Sequence, residues 1–318
     1  MGCHPRSCNH DVMTRPKIHA TAITLRLDRE TVRLAKVFAE AELDYVLLKG
    51  PALKAWLYPD AARAYGDIDL LIPPQALERA AALLATLGYV AHMPKANSVE
   101  LTAHSRNFVH RDGVVLDLHT RLSGANATED AVWEALSQGA DIILLEDHAV
   151  KICGLHARIV IVVLHAAQHG QHESKPMEDL HRMGRCVSTK DLVVAAQMAD
   201  DIGATESFAA GLCLDPHLRE LAPHLARLPV SLSVRARMAG MHHKPGGAKI
   251  VAARSGDWPS RLRLLAGVLW PTVDFLRTFV GPDRATGPLW VSRARLRRLI
   301  YSLRHLPQAV KDVRRVPD

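Results

Sequence analysis

Apolar and polar positions in the first part of the chain follow helix and strand spacing in turn. Residues 28–42 place apolar side chains three and four apart, which predicts a helix. The run YVLLKG that follows is short, apolar and closed by Gly50, so it predicts a buried strand and a turn. Pro51 suits the first turn of the next helix, PALKAWLY, because proline has no N–H to donate there. The sequence therefore predicts a strand, a glycine turn and a helix in succession.

The same interleaving continues up to about residue 120. A second strand is predicted from Asp67 to Ile72, where Pro73 follows, and residues 75–87 have helical spacing that stops before Gly88. Three further short strands are predicted at residues 89–93, 105–110 and 114–119. The last two are joined by an Asp-Gly pair, which is a strong hairpin signal.

From about residue 128 the spacing is helical and strand signals are few. Helices are predicted in 131–140, 150–170, 191–203, 261–270 and 291–306, with loops at 242–249 and 281–288. The fold class expected is α+β, with a mixed-sheet core followed by a helical C-terminal domain. The expected divisions are a disordered leader (1–20), a core (21–125), a helical domain (126–240) and a basic, mainly helical C-terminal region (241–318).

The segment GDIDLLI carries the first candidate chemistry. Asp67 and Asp69 are separated by one residue on the second strand, so both carboxylates point to one face. Mg²⁺ is usually held by one or two carboxylates together with substrate phosphates. A third acid, Asp117, lies on another apolar strand, where a charge is costly unless it meets a metal, a partner or water. Alone, an Asp-x-Asp pair is common in loops, and Asp117 could simply pair with a neighbouring His119 or Arg121.

Lys49 and Gly50 are candidates for binding phosphate, because they end a strand and open a helix. The alternative is that Lys49 is solvated and Gly50 only makes a turn. Arg63 enters the second strand and could contact phosphate as a bidentate donor, or pair with Asp60 on the surface.

The run LLKGPALKAWLYPDAARAYGDIDLLIPPQ, followed by LDLHTRL, resembles a bacterial nucleotidyltransferase family of uncharacterised substrate in the DNA polymerase β-like superfamily. The resemblance implies a mixed-sheet core, a divalent ion (Mg²⁺ or Mn²⁺) at Asp67, Asp69 and Asp117, and a nucleoside triphosphate as co-substrate. Pro51 stands where this superfamily usually has serine, which implies a different grip on the phosphates, with Lys49 or Arg63 in its place.

The resemblance extends more loosely over residues 28–200 and leaves the acceptor open. A nucleoside monophosphate would pass to that acceptor with release of pyrophosphate. The rival interpretation is a degenerate member that keeps the fold as a binding or scaffold protein in a biosynthetic or toxin-antitoxin system. The resemblance also suggests that His169 and Asp179 line the acceptor side of the cleft.

Composition narrows the class of protein. Hydrophobic residues make up 48% and charged residues 23% of the 318-residue chain, which is typical of a globular protein. Apolar runs are too short for a membrane span, no signal peptide is evident, and five scattered cysteines do not form a disulfide pattern, so a cytoplasmic protein is expected. Cys3 and Cys8 with His4 and His10 could bind zinc, although no apolar segment surrounds them.

The formal charge of +7 is concentrated after residue 250 and suits an anionic partner. The basic run 293–315 predicts a solvated helix, with RNA, an acidic peptide or a membrane surface as possible ligands. No aromatic RNA-binding signature accompanies it, so a small-molecule or peptide acceptor is favoured over nucleic acid. His165 and His169 stand four apart on one helical face, but helix packing is favoured over a zinc site because Ala166 stands where a metalloprotease has Glu.

Overall fold

The computed structural model describes residues 11–92, 105–170, 173–231 and 287–315, with a few single positions between 234 and 285. The possible zinc ligands near the N-terminus, the predicted loop at 242–249 and most of the predicted helix at 261–270 lie outside these residues. Within the described part of the chain, no helix is long and apolar enough to cross a membrane.

The described elements comprise a mixed sheet and a set of helices. The strands are β1 (Val46–Leu47), β2 (Asp67–Leu71), β3 (Tyr89–His92), β4 (Ser105–His110), β5 (Val115–His119), β6 (Asp141–Leu145) and β7 (His148–Ile152). The helices are α1 (Asp11–Glu40), α2 (Pro51–Leu57), α3 (Leu77–Thr86), α4 (Glu129–Ser137), α5 (Leu155–His169), α6 (Ser174–Gly184), α7 (Thr189–Asp201), α8 (Thr205–Leu212), α9 (Pro216–Leu221), α10 (Pro223–Ala226) and α11 (Trp290–Arg315).

The described strands form a seven-stranded sheet in the order β3-β4-β5-β2-β1-β7-β6. The β2–β5 and β1–β7 pairs are parallel, and the four other neighbouring pairs are antiparallel. Helices α5–α11 follow the last strand along the chain. The predicted α+β class with a mixed sheet and a helical second part is therefore confirmed.

Strand alternation divides the apolar residues between the two faces of the sheet. Leu47 and Leu70 belong to a core shared with Phe38 of α1, which is fully buried. Val46 and Leu71, each next to one of them in sequence, belong to the core built around α5 and the helices that follow. The sheet is thus covered on both faces, and Ile68, Leu70 and Ile72, which alternate with the acids of β2, are buried.

The hairpin β6–β7 was not predicted: residues 150–152 fall in the helix predicted at 150–170, and no element was predicted for residues 141–149. Its two turn residues, Glu146 and Asp147, both have positive φ, at 47° and 62°. Such a turn usually carries Asn-Gly, and the pair Glu-Asp gives no such signal. The sheet consequently extends past the boundary expected at residue 125, and α5 begins at Leu155 rather than at 150.

Helix α1 also differs from its prediction, since it begins at Asp11 and runs for 30 residues. The second half of the predicted leader, residues 11–20, is therefore helical. On the core side of α1, Leu27, Leu34 and Phe38 are buried against the sheet. The leader prediction was based on the polar N-terminal sequence, which contains no apolar periodicity to mark the start of a helix.

We expect Gly211→Ala to destabilise the protein, although alanine normally favours a helix over glycine by about 1 kcal/mol. A Cβ at Gly211 in α8 would lie 2.6 Å from Cγ1 of Val163 in α5 and would also overlap that residue's carbonyl oxygen. Overpacking of this kind costs about 1–3 kcal/mol. Chemical denaturation would measure it, with Gly66→Ala as the control, because a Cβ there meets nothing within 4 Å. Equal stability of the two variants would contradict the close α5–α8 approach.

Candidate active site

The three acids predicted from the sequence lie on one face of neighbouring parallel strands. The register pairs Asp69 of β2 with Asp117 of β5, so their side chains project side by side. Asp67 is two residues earlier on β2 and therefore points to the same face. Leu71, two residues after Asp69, points to this face too and belongs to the core built around α5. The acids therefore face α5 and the helices that follow it.

Asp69 is the most buried of the three, with 3% of its surface exposed. One of its oxygens, Oδ1, accepts a bond from Lys49 Nζ at 2.9 Å and lies 3.0 Å from His119 Nε2. Burial tends to raise the pKa of Asp69, but Lys49 and His119 together hold it well below the usual range. Asp69 is therefore ionised, with two donors on one oxygen.

The pKa values of Asp117 and Asp67 are raised, whereas that of Asp69 is lowered. Burial, and then the charge of Asp69, raise the pKa of Asp117 to about 6. The same two causes, in the same order, raise the pKa of Asp67. Asn107, which faces Asp117 across the β4–β5 pair, donates to its Oδ1 at 2.7 Å. The acids repel one another, so the site favours a bound cation.

Gly50 makes the turn that places Lys49 beside these acids. Its φ of 59° and ψ of −117° are accessible to glycine and strained for other residues. A Cβ there would also touch the ring of Tyr65, at 3.5 Å. Burial alone would lower the pKa of Lys49, but Asp69 raises it above the usual value, so the ammonium stays charged. The predicted turn is present, and its lysine contacts Asp69.

Arg63 has a partner that the sequence did not reveal. Its guanidinium donates to both oxygens of Asp179 in α6, at 2.9 Å and 2.6 Å, and Tyr58 donates to Oδ1 of the same carboxylate at 2.7 Å. Arg63 is 5% exposed and Asp179 1%. Arg63 therefore pairs with Asp179 and not with Asp60, the alternative to phosphate binding, and phosphate binding by Arg63 would require breaking a buried ion pair.

The same ion pair corrects the suggestion that Asp179 lines an acceptor cleft, since its carboxylate is buried beneath Arg63 and Tyr58. His169, the other residue suggested there, lies 3.0 Å from Glu173 and stacks edge-on against His165, with ring centroids 4.5 Å apart. The favoured packing role of these two histidines therefore agrees with their contacts.

Three residues near the acids were not singled out as site residues. His119 and Asn107 are brought to Asp69 and Asp117 by the strand register. Lys175 comes from α6, one turn before Asp179, and interacts electrostatically with Asp67. Desolvation, and then the charge of Arg63, lower the pKa of Lys175. No local sequence signal could reveal Lys175, because its contact spans more than a hundred residues.

A divalent ion fits this donor set. Among the described residues, Asp69, Asp117 and His119 form a group whose ligand atoms all lie within 4.8 Å of one another. Carboxylate oxygens suit Mg²⁺ and Mn²⁺, and an imidazole nitrogen is a ligand that Mn²⁺ accepts more readily than Mg²⁺ does. Asp67, on the same face, is a further oxygen donor beside this group.

We expect Asp117→Asn to stabilise the metal-free protein above pH 6. The variant removes a buried charge and keeps an oxygen that can accept from Asn107. Because the raised pKa makes the folded state bind this proton more tightly than the unfolded chain, wild-type stability falls as pH rises from about 4 to about 6. In thermal unfolding with a chelator, Tm should rise by about 2 °C or more at pH 8 and hardly at all at pH 4.

The control for this variant is Asp60→Asn, at an exposed position between α2 and β2. It should leave Tm within about 1 °C of the wild type at both pH values. A gain for Asp117→Asn that is equal at pH 4 and pH 8 would contradict the raised pKa.

Comparison with known proteins places the chain in a family. The family model described as uncharacterised nucleotidyltransferase matches residues 16–218. A comparison with curated proteins finds no match.

Three solved structures show remote likenesses. The complex of ANT(2")-Ia with adenylyl-2"-tobramycin is 16% identical, covering 57% of this chain and 98% of its own, with a TM-score of 0.41. The lincomycin-bound lincosamide antibiotic adenylyltransferase LnuA is 15% identical, covering 48% and 92%, at 0.32. An antigenic nucleotidyltransferase-like protein from Paracoccidioides brasiliensis is 14% identical, covering 65% and 95%, at 0.32.

These TM-scores are too low to bear on the acceptor. The family match is of another kind, because it covers more than half of the chain and includes the glycine turn, all three acids and the Arg63–Asp179 pair. The chain therefore belongs to the family of uncharacterised nucleotidyltransferases.

Proposed function

We propose that the protein transfers a nucleoside monophosphate from a nucleoside triphosphate to a small-molecule or peptide acceptor. The observation that carries this proposal is the register of β2 against β5, which sets Asp69 directly beside Asp117 with Asp67 on the same face. Two lysines, Lys49 and Lys175, interact with these acids from outside the two strands. An acidic centre bordered by cations suits a metal–triphosphate complex.

The reaction proposed is a displacement at the α-phosphorus. An acceptor oxygen or nitrogen forms a bond to that phosphorus, the bond to the bridging oxygen breaks, and pyrophosphate leaves with the electron pair. A bound divalent ion, Mg²⁺ or Mn²⁺, would offset the phosphate charge that builds up in this step. Asp67, Asp69 and Asp117 would hold it, and Asp117 would also accept the proton lost by the acceptor.

The phosphates are assigned to the cationic border of the acids. Lys49 is held beside Asp69 by the Gly50 turn, so its ammonium is positioned before substrate arrives. Lys175 extends this border from α6, and its pairing with Asp67 is electrostatic rather than a direct salt bridge in the described structure. Arg63 acts as a positioning residue, because it fastens the chain entering β2 to the helix that carries Lys175.

Turnover should depend on the acid pair of β2. We expect Asp67→Asn and Asp69→Asn, singly, to lower metal-dependent release of pyrophosphate from a nucleoside triphosphate by at least about a hundredfold, because each removes a carboxylate charge from the ion-binding site. Asp60→Asn serves as the control and should retain wild-type turnover. Pyrophosphate release can be followed in a coupled assay over the four common nucleoside triphosphates. Full turnover in the Asp69 variant would reject the assigned site.

A second candidate function is metal-independent binding by a degenerate member of the family. It is favoured by one observation, namely that Lys49 and His119 both meet the same oxygen of Asp69 and could replace an ion there. Calorimetric titration with a non-hydrolysable nucleoside triphosphate separates the two candidates. Affinity that rises on adding Mg²⁺ or Mn²⁺ supports the enzyme, and affinity indifferent to both ions supports the degenerate module.

Lys175 provides a test of the phosphate assignment. We expect Lys175→Gln to raise KM for the nucleoside triphosphate by about tenfold, since one charge-assisted hydrogen bond contributes about 1.5–3 kcal/mol. Lys175→Arg should recover most of the affinity. Lys190→Gln, at an exposed position in α7, is the matched control and should leave KM unchanged. A KM for Lys175→Gln equal to that of the control would place the triphosphate elsewhere.

A further inference from the structure

The net positive charge of this protein comes from its C-terminal part. Residues 251–318 contain thirteen arginines and lysines, five aspartates and no glutamate, whereas the whole chain has a net charge of +7. The preceding 250 residues are therefore close to neutral. A localised excess of this kind attracts an anionic partner to one part of the molecule.

Helix α11 exposes apolar side chains in a regular stripe. Leu296, Ile300 and Leu303 are spaced four and three apart, which puts them on one face of the helix, and they are 58%, 42% and 54% exposed. Leu289, seven residues before Leu296 and directly before the helix, is 58% exposed. Because these four large apolar residues lie in one line and are all exposed, they form a contiguous apolar patch and are not isolated exposed side chains.

The arginines of α11 border this stripe. Arg297 and Arg304 are exposed, and each directly follows a leucine of the stripe, about 100° farther round the helix. Away from the stripe, Ala294 and Arg298 are 2% and 4% exposed. The helix is thus fixed to the protein along its buried side, while the apolar stripe and its cationic border face outward.

Two tryptophans in the same C-terminal part of the chain are also exposed. The ring of Trp270 is 70% exposed and carries the guanidinium of Arg295 at 4.1 Å, so this ring is held against α11. Trp258 is 68% exposed. Tryptophan favours the boundary between water and the hydrocarbon of a bilayer, because its ring is apolar and its N–H is polar.

We propose that α11 is an interfacial helix that binds the surface of an anionic lipid bilayer, lying in the plane of the membrane with its leucine stripe inserted. A leucine stripe flanked by arginines matches both components of such a surface, the acyl boundary and the anionic headgroups. RNA would engage the arginines and leave the leucines in water. A second copy of this chain would bring two cationic borders into contact, which opposes self-association through this face.

The experiment uses the full-length protein and vesicle flotation. Vesicles of phosphatidylcholine with about one third phosphatidylglycerol should bind the protein at low salt, and vesicles of phosphatidylcholine alone should bind it much less. Adding salt should weaken binding to the anionic vesicles, because it screens the headgroup charge. Absence of binding to anionic vesicles at low salt would overturn the proposal.

Matched variants separate the contribution of the inserted leucines from that of the arginines. Leu296→Ser combined with Leu303→Ser should lower the partition coefficient by about tenfold or more, through the loss of inserted apolar surface. Arg297→Gln combined with Arg304→Gln should lower it by about tenfold at low salt on anionic vesicles only. The control is Ile142→Ser with Leu144→Ser on β6, where side chains 69% and 76% exposed lie outside the proposed surface and should be dispensable.

Two further measurements decide against the other partners. Quenching of tryptophan fluorescence by brominated lipid should occur in the wild type and diminish in Trp270→Phe, which reports insertion directly. Binding of a single-stranded RNA that tracks the arginines and ignores the leucines, with no vesicle binding, would overturn the lipid assignment. So would a dimer in sedimentation that the leucine variant abolishes. Vesicle binding by the Asp69→Asn variant should equal that of the wild type, which keeps this test independent of catalysis.

Discussion

The candidate site depends on one strand register, the parallel pairing of β2 with β5. A shift of one residue would turn Asp117 into the opposite core while Asp69 kept its direction, because successive side chains point to opposite faces. The register is held by the apolar residues that alternate with the acids along the two strands. Leu70 and Leu118 are paired in the same ladder and buried on the other face, so the packing that stabilises the sheet also sets the separation of the carboxylates.

This arrangement opposes the stability of the metal-free protein. Asp67 and Asp117 have raised pKa values because they are partly removed from water beside the ionised Asp69. Lys49 and His119 offset the negative charge of Asp69 only, and both contact the same oxygen of that carboxylate. The remaining repulsion is the physical reason to expect a cation there, and it makes the site a place where stability and activity conflict.

The Arg63–Asp179 pair connects the sheet to the helices that follow it. A buried ion pair contributes little net stability compared with apolar packing, but losing one partner is costly, so the pair fixes the relation between the two parts it joins. Here it joins the chain entering β2 to α6, where Lys175 lies one turn from Asp179. The position of Lys175, the lysine proposed to bind phosphate, therefore depends on an ion pair that does not include the three acids.

The local features of the site could be predicted from the sequence. Alternation located Asp67 and Asp69 on one strand face, an apolar run followed by Gly50 located the turn beside Lys49, and Asp117 was identified on a strand of its own. These are properties of residues within a few positions of one another, for which backbone geometry fixes the relation of side chains.

Contacts between segments that are distant in sequence could be seen only in the three-dimensional fold. The β6–β7 hairpin joins the sheet by pairing with β1, about a hundred residues earlier, and its Glu-Asp turn carried no signal of its own. Asp179 as the partner of Arg63, and Lys175 as a neighbour of Asp67, follow from how α6 packs on the core. Such pairings are chosen by the burial of whole helices and sheet faces, a sum over many residues that no short sequence pattern contains.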